Sequence, residues 1–170
     1  MKTPFILRLA LVLCLAALVA GPASAGTRIG GGLHYLKTVG DMKDVAGFDD
    51  SALGFIGSLA FSGGLARLEA NVEFIPDYAG TDELMWAPEG YVLFGQFIYA
   101  GAGIGIGHLG AFGWQDPFYD LRAGVDFNLG GLDLDVYAAY RFEKAKDLEA
   151  VDKNSLNALT FAAIVRFGGN

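Results

Sequence analysis

Period-two alternation of apolar and polar residues is the feature that most constrains this chain. In residues 65–74, Leu68, Ala70, Val72 and Phe74 alternate with Arg67, Glu69, Asn71 and Glu73. Leu121, Ala123, Val125, Phe127 and Leu129 alternate with Arg122, Gly124, Asp126 and Asn128. Then Leu132, Leu134, Val136, Ala138, Tyr140 and Phe142 alternate with Asp133, Asp135, Tyr137, Ala139, Arg141 and Glu143. Successive side chains of a strand point to opposite faces, so each segment is a strand with one apolar face.

Extending the pattern predicts eight strands, roughly 27–38, 51–61, 65–76, 84–95, 97–109, 118–129, 132–143 and 155–167. Most reach the 9–11 residues that a tilted strand needs to cross a bilayer. Ser62-Gly63-Gly64, Gly95-Gln96 and Gly130-Gly131 are expected tight turns, because glycine supplies positive φ at low cost. Longer polar loops, about 39–50, 77–83, 110–117 and 144–154, alternate with them. Pro88 and Glu89 interrupt the fourth strand and leave its facing open. The expected fold class is all-β, an eight-stranded antiparallel up-and-down transmembrane β-barrel.

Alternation alone does not say which face points inward. A soluble calyx turns its apolar face in around a ligand, and a membrane barrel turns it out. Small residues on the polar faces favour the second: Gly101, Gly103, Gly105 and Gly107 share one face, as do Gly54, Ser58 and Ala60, and Ala158, Thr160 and Ala162. Glycine on a water-facing sheet costs entropy without benefit, whereas a narrow lumen needs room. Arg67, Arg122 and Arg141, with Arg166, share faces with Glu69, Glu73, Asp126, Asp133, Asp135 and Glu143, as expected of a charge network in a lumen. Aromatics near strand ends, among them Tyr35, Phe55, Phe74, Tyr78, Phe118 and Phe167, are expected to form interfacial girdles.

The first twenty-five residues read as a cleaved signal peptide. Lys2 and Arg8 precede the apolar run Leu9 to Ala20, and Ala23-Ser24-Ala25 is the small-x-small pattern before a cut. The barrel domain is then 26–170. Cys14, the only cysteine, leaves with the leader, so disulfide and thiolate chemistry are excluded. Removing Lys2 and Arg8 takes the formal charge from -7 to -9 (-7 minus 2). Such an acidic chain is not expected to bind nucleic acid.

The last strand, Thr160-Phe161-Ala162-Ala163-Ile164-Val165-Arg166-Phe167, resembles the C-terminal signal by which outer-membrane barrels engage their insertion machinery. Thr160, Val165 and Phe167 match that pattern; Ala162 stands where glycine is usual, and Gly168-Gly169-Asn170 follow the aromatic. The run Tyr99 to Gly107 also looks like the glycine-alternating strand of small barrels. Together these resemble the eight-stranded outer-membrane group that includes OmpA transmembrane domains, OmpX and OmpW, with OmpX the nearer analogue. The resemblance implies a Gram-negative outer-membrane protein with periplasmic termini. Its partners would be outer-membrane lipids and lipopolysaccharide, and periplasmic chaperones and insertion machinery during assembly. It implies a monomer with a structural or surface-interaction role.

No enzyme, cofactor or metal site is expected. The strings His34-Tyr35-Leu36 and His108-Leu109-Gly110 lack the His-x-Ser pattern of lipid A deacylases, leaving a cross-strand set such as His34, Ser58 and Glu69 as the enzyme alternative. The two histidines fall on opposite faces by parity and cannot share an ion. Loop carboxylates, among them Asp41, Asp44, Asp82, Glu83, Asp147 and Asp152, are expected to keep the loops solvated. A narrow conduit for apolar solutes is the remaining alternative, although eight strands leave a lumen that side chains fill.

Overall fold

The computed structural model describes residues 26–40, 49–143 and 157–168. The leader, Cys14, the loop carboxylates Asp41, Asp44, Asp147 and Asp152, and the expected start of the last strand at 155–156 lie outside them. Eight antiparallel strands close into a barrel in sequence order: β1 (Gly26–Thr38), β2 (Ser51–Gly63), β3 (Ala66–Ile75), β4 (Met85–Gly95), β5 (Ile98–Leu109), β6 (Gly113–Asn128), β7 (Leu132–Phe142) and β8 (Ala158–Gly168). Closure pairs β1 with β8, from Arg28 opposite Gly168 to Thr38 opposite Ala158. It leaves no open sheet edge, which hydrocarbon could not satisfy.

The two ends of the barrel differ. At the turn end, β2–β3, β4–β5 and β6–β7 are joined by two- or three-residue turns at 64–65, 96–97 and 129–131. Gly64, Gly95, Gly130 and Gly131 take positive φ there. At the loop end lie the longer connections, with single 3-10 turns at Tyr78–Gly80 and Gly110–Phe112. The sixth strand begins at Gly113 instead of near 118, so most of the expected loop 110–117 is strand. Its outer part pairs with β5 across a register shift between Ile106 and His108.

Pro88 does not break β4. It faces outward and pairs with Val72 of β3, while the register with β5 lapses at Ala87 and Pro88 and resumes at Trp86 opposite His108. Proline lacks the N–H that such a ladder needs, so the gap falls there. Glu89 therefore points inward, which settles the facing of this strand.

Most charged residues of the strands line the inside, together with some apolar side chains such as Ile56, Leu93 and Ile164, and apolar residues cover the outside. Arg122 is 2% exposed and Asp135 fully buried, whereas their outward neighbours Leu121 and Val136 are 57% and 41% exposed. A soluble calyx would show the reverse, and that alternative fails on this observation.

Candidate functional site

The lumen is the place where this chain assembles its polar side chains, and inner-face glycines make the space. On β5, a Cβ at Gly103 would stand 2.4 Å from the Tyr91 ring, and one at Gly105 would stand 2.3 Å from the Phe118 ring. No side chain fits at those distances, so the glycine face of β5 seats two aromatic rings from its neighbours.

Toward the turn end, four guanidinium groups interlock with four carboxylates. Arg122 donates to Glu69 and Asp135, each at 2.7 Å. Arg166 donates to the same two residues at 2.9 and 2.7 Å, and to the Ser58 hydroxyl at 3.0 Å. Arg67 pairs with Glu69, Asp126 and Asp135, and Arg28 pairs with Asp126 and Asp133. The Tyr99 hydroxyl donates to Asp135 and accepts from Arg122. Arg122 also lies 3.5 Å from the centre of the Tyr137 ring and Arg67 4.2 Å from that of Tyr99. Glu69 comes from β3, Arg122 from β6, Asp135 from β7 and Arg166 from β8, so these pairs tie the wall across the lumen.

Toward the loop end the balance changes. Arg141 reaches Glu73 and Glu89 at 2.8 Å each and Asp120 at 3.4 Å. His34 Nδ1 lies 3.1 Å from Glu73. Tyr91 donates to Asp120 at 2.9 Å, and Tyr78 donates to Glu143 at 3.2 Å. Beyond this cluster Leu36, Ile75, Tyr78, Met85, Leu109 and Phe118 form an apolar cap inside the barrel. The cap includes Phe118 and Tyr78, which were expected in an outer girdle. Phe118 is fully buried with Arg141 stacked 3.9 Å over its ring, and Tyr78 inserts from a loop. Even parity with Asp120 and Arg122 turns Phe118 inward, and its ring covers a cation. Burial next to Glu143 holds the Tyr78 hydroxyl well above its ordinary range.

No protein-family model matches the chain, and no curated protein sequence matches it. Solved structures do. Neisserial surface protein A is 16% identical, with a TM-score of 0.59 over 83% of this chain and 96% of that one. The outer membrane protein OprG from Pseudomonas aeruginosa is 12% identical, with a TM-score of 0.48 over 88% of this chain and 97% of that one. What the chain shares with the Neisserial protein is the fold. That fold is the eight-stranded barrel expected from the alternation.

All nine residues expected in the lumen network, Arg67, Glu69, Glu73, Arg122, Asp126, Asp133, Asp135, Arg141 and Glu143, lie on the inside. They divide between two clusters: Glu73, Arg141 and Glu143 at the loop end, the other six toward the turn end. Parity missed Arg28, Glu89 and Asp120. Arg28 shares parity with Gly30, Gly32 and His34, and Asp120 with Arg122, so extending each alternation to the strand end would have found both. Of the C-terminal set, Thr160 is buried inside, while Val165 and Phe167 face outward. His34, Ser58 and Glu69 do not converge: His34 meets Glu73, Ser58 accepts from Arg166, and Glu69 serves Arg122 and Arg166. His108 faces outward, stacked on Trp86 at a ring distance of 5.6 Å and edge-to-face with Trp114 at 5.0 Å.

Proposed function

We propose that this chain is an integral outer-membrane β-barrel with a non-enzymatic role in membrane integrity or surface interaction. One observation carries the reading: most guanidinium and carboxylate groups of the strands gather on the inside, and large apolar side chains cover the outside. Ile29, Leu53, Phe94 and Ile98 are each more than 60% exposed. A protein in water rarely exposes apolar patches beyond a few hundred Å². In hydrocarbon the same surface is the stable one.

In this reading the turn end and both termini face the periplasm and the longer loops face outward, where Asp49, Asp50, Asp82 and Glu83 meet the medium or lipopolysaccharide. Outer-membrane lipids are its permanent partners. Thr160, Val165 and Phe167 engage the insertion machinery after periplasmic chaperones deliver the chain, and the barrel works as a monomer. The apolar cap and the crossed ion pairs among the described residues support a structural lumen over a conduit, because both occupy the space that a conduit would need.

Cell fractionation tests this directly. The protein is expected in the outer-membrane fraction and to migrate faster in gels when unheated; recovery from soluble periplasm would overturn it. Val136→Arg adds a quantitative test. Val136 faces outward between Val125 and Ala163. A charge there should cost about 2–4 kcal/mol in a bilayer. Urea unfolding in vesicles measures it, and a change near zero would contradict the lipid assignment.

A further inference from the structure

The apolar cap packs inside the loop end of the lumen, and at the turn end lies a cavity of about 390 Å³. Its lining includes Arg28, Ser62, Arg67, Phe97, Asp126 and Asp133. That volume lies within the roughly 300–1,000 Å³ typical of small-ligand pockets. Two guanidinium groups face two carboxylates, so neither a lone anion nor a lone cation is complemented.

The bonding is also incomplete. Asp126 Oδ2 accepts from both Arg28 and Arg67, while Oδ1 has no hydrogen-bond partner among the described residues. The Ser62 hydroxyl has none either. An unpaired buried carboxylate oxygen and hydroxyl are costly, and an ammonium donor would satisfy them. Arg28, the more open of the two arginines with its side chain 20% exposed, can donate to an anion. The lip carries an apolar side on which Phe97 lines the cavity next to Gln96, and Leu65, Phe94 and Ile98 around the same turns are 62–70% exposed on the outer face. The surface therefore suits an amphiphile with its head in the mouth and its tail over the rim.

We propose that this mouth binds the headgroup of a zwitterionic phospholipid, ammonium toward Asp126 and Ser62 and phosphate toward Arg28, with the acyl chain passing over Phe97 onto the wall. The proposal rests on the membrane placement given above and adds to it a lipid class and a site.

The test uses the folded protein in dodecylmaltoside micelles, with the amide signals of Gly64, Gly95 and Gln96 followed by NMR. Lysophosphatidylethanolamine should give saturable shifts at concentrations about tenfold lower than lysophosphatidylglycerol, which lacks the amine. Asp126→Asn should narrow that gap, and so should Ser62→Ala, which leaves the arginine pairs in place. The absence of saturable shifts, equal response to both lipids, or an unchanged gap in both variants would overturn the proposal. So would O-phosphoethanolamine binding as tightly as the lysolipid, because the site would then take a soluble zwitterion. In the same sample, contacts from maltoside chains to Leu121 and Val136 report separately on the membrane reading. If these contacts are present and the shifts absent, only the headgroup proposal fails.

Discussion

The two halves of the lumen solve the problem of buried charge differently. Toward the turn end, Arg28, Arg67, Arg122 and Arg166 face Glu69, Asp126, Asp133 and Asp135, four against four. Glu69 and Asp135 each contact three of those arginines. Toward the loop end, Arg141 is the one arginine among the described residues that meets Glu73, Glu89 and Asp120, with Glu143 nearby. Among the described residues one half is redundant, and the other hangs on a single arginine with His34 beside Glu73. Removing one member of a buried pair strands its partner, and the cost depends on how many other partners remain.

The largest effect should therefore follow Arg141→Met. It removes the cation shared by three carboxylates and the stack on Phe118, and no other arginine among the described residues contacts those groups. Loss of about 3–5 kcal/mol is expected, the scale for breaking a buried pair. Urea unfolding of the refolded barrel in vesicles measures it. A loss under 1 kcal/mol would mean that the loop-end cluster does not depend on its arginine.

A second, somewhat smaller effect is set by pH. Glu143 lies one residue beyond β7, and burial pushes its carboxyl up from 4.5 to about 7, against the pull of Arg141. The folded value exceeds the unfolded one, so the neutral carboxyl's contribution is complete below about 4.5. It is lost as pH rises through about 7. Glu143→Gln keeps the neutral shape and should overtake the wild type across that window, by on the order of 3 kcal/mol. Parallel stability–pH curves for the two proteins would refute it.

Most of this architecture was legible as alternation. Faces, strand number and the turn-end glycines follow from a period of two and from where positive φ is cheap. What escaped was whatever alternation does not carry. Pro88 obscured β4, so Glu89 went unassigned, although proline on an outward position only opens one ladder. Tyr78 reaches the lumen from a loop, where no periodicity applies. Parity assigns Glu69 and Arg166 to the interior, but 97 residues separate them, and only the stagger of the closed barrel brings them to 2.9 Å. Strand sequences state which side chains go inside, while strand tilt decides whom they meet.

Arg122→Met sharpens the contrast from the other side. Arg122 is as buried as Arg141 and makes two ion pairs at 2.7 Å, so contact geometry alone would rank its loss among the worst. Its partners are not stranded, however. Glu69 keeps Arg67 and Arg166, and Asp135 keeps both of these and Tyr99. Methionine fills part of the vacated space beside Tyr137 without adding an unpaired polar atom. The expected cost is about 1–3 kcal/mol, that of lost hydrogen bonds to charged groups without an abandoned charge. Measured beside Arg141→Met in the same vesicles, it should be the milder change. The reverse order would mean that the four arginines act as one indivisible unit, so that redundancy of partners confers no tolerance in this lumen.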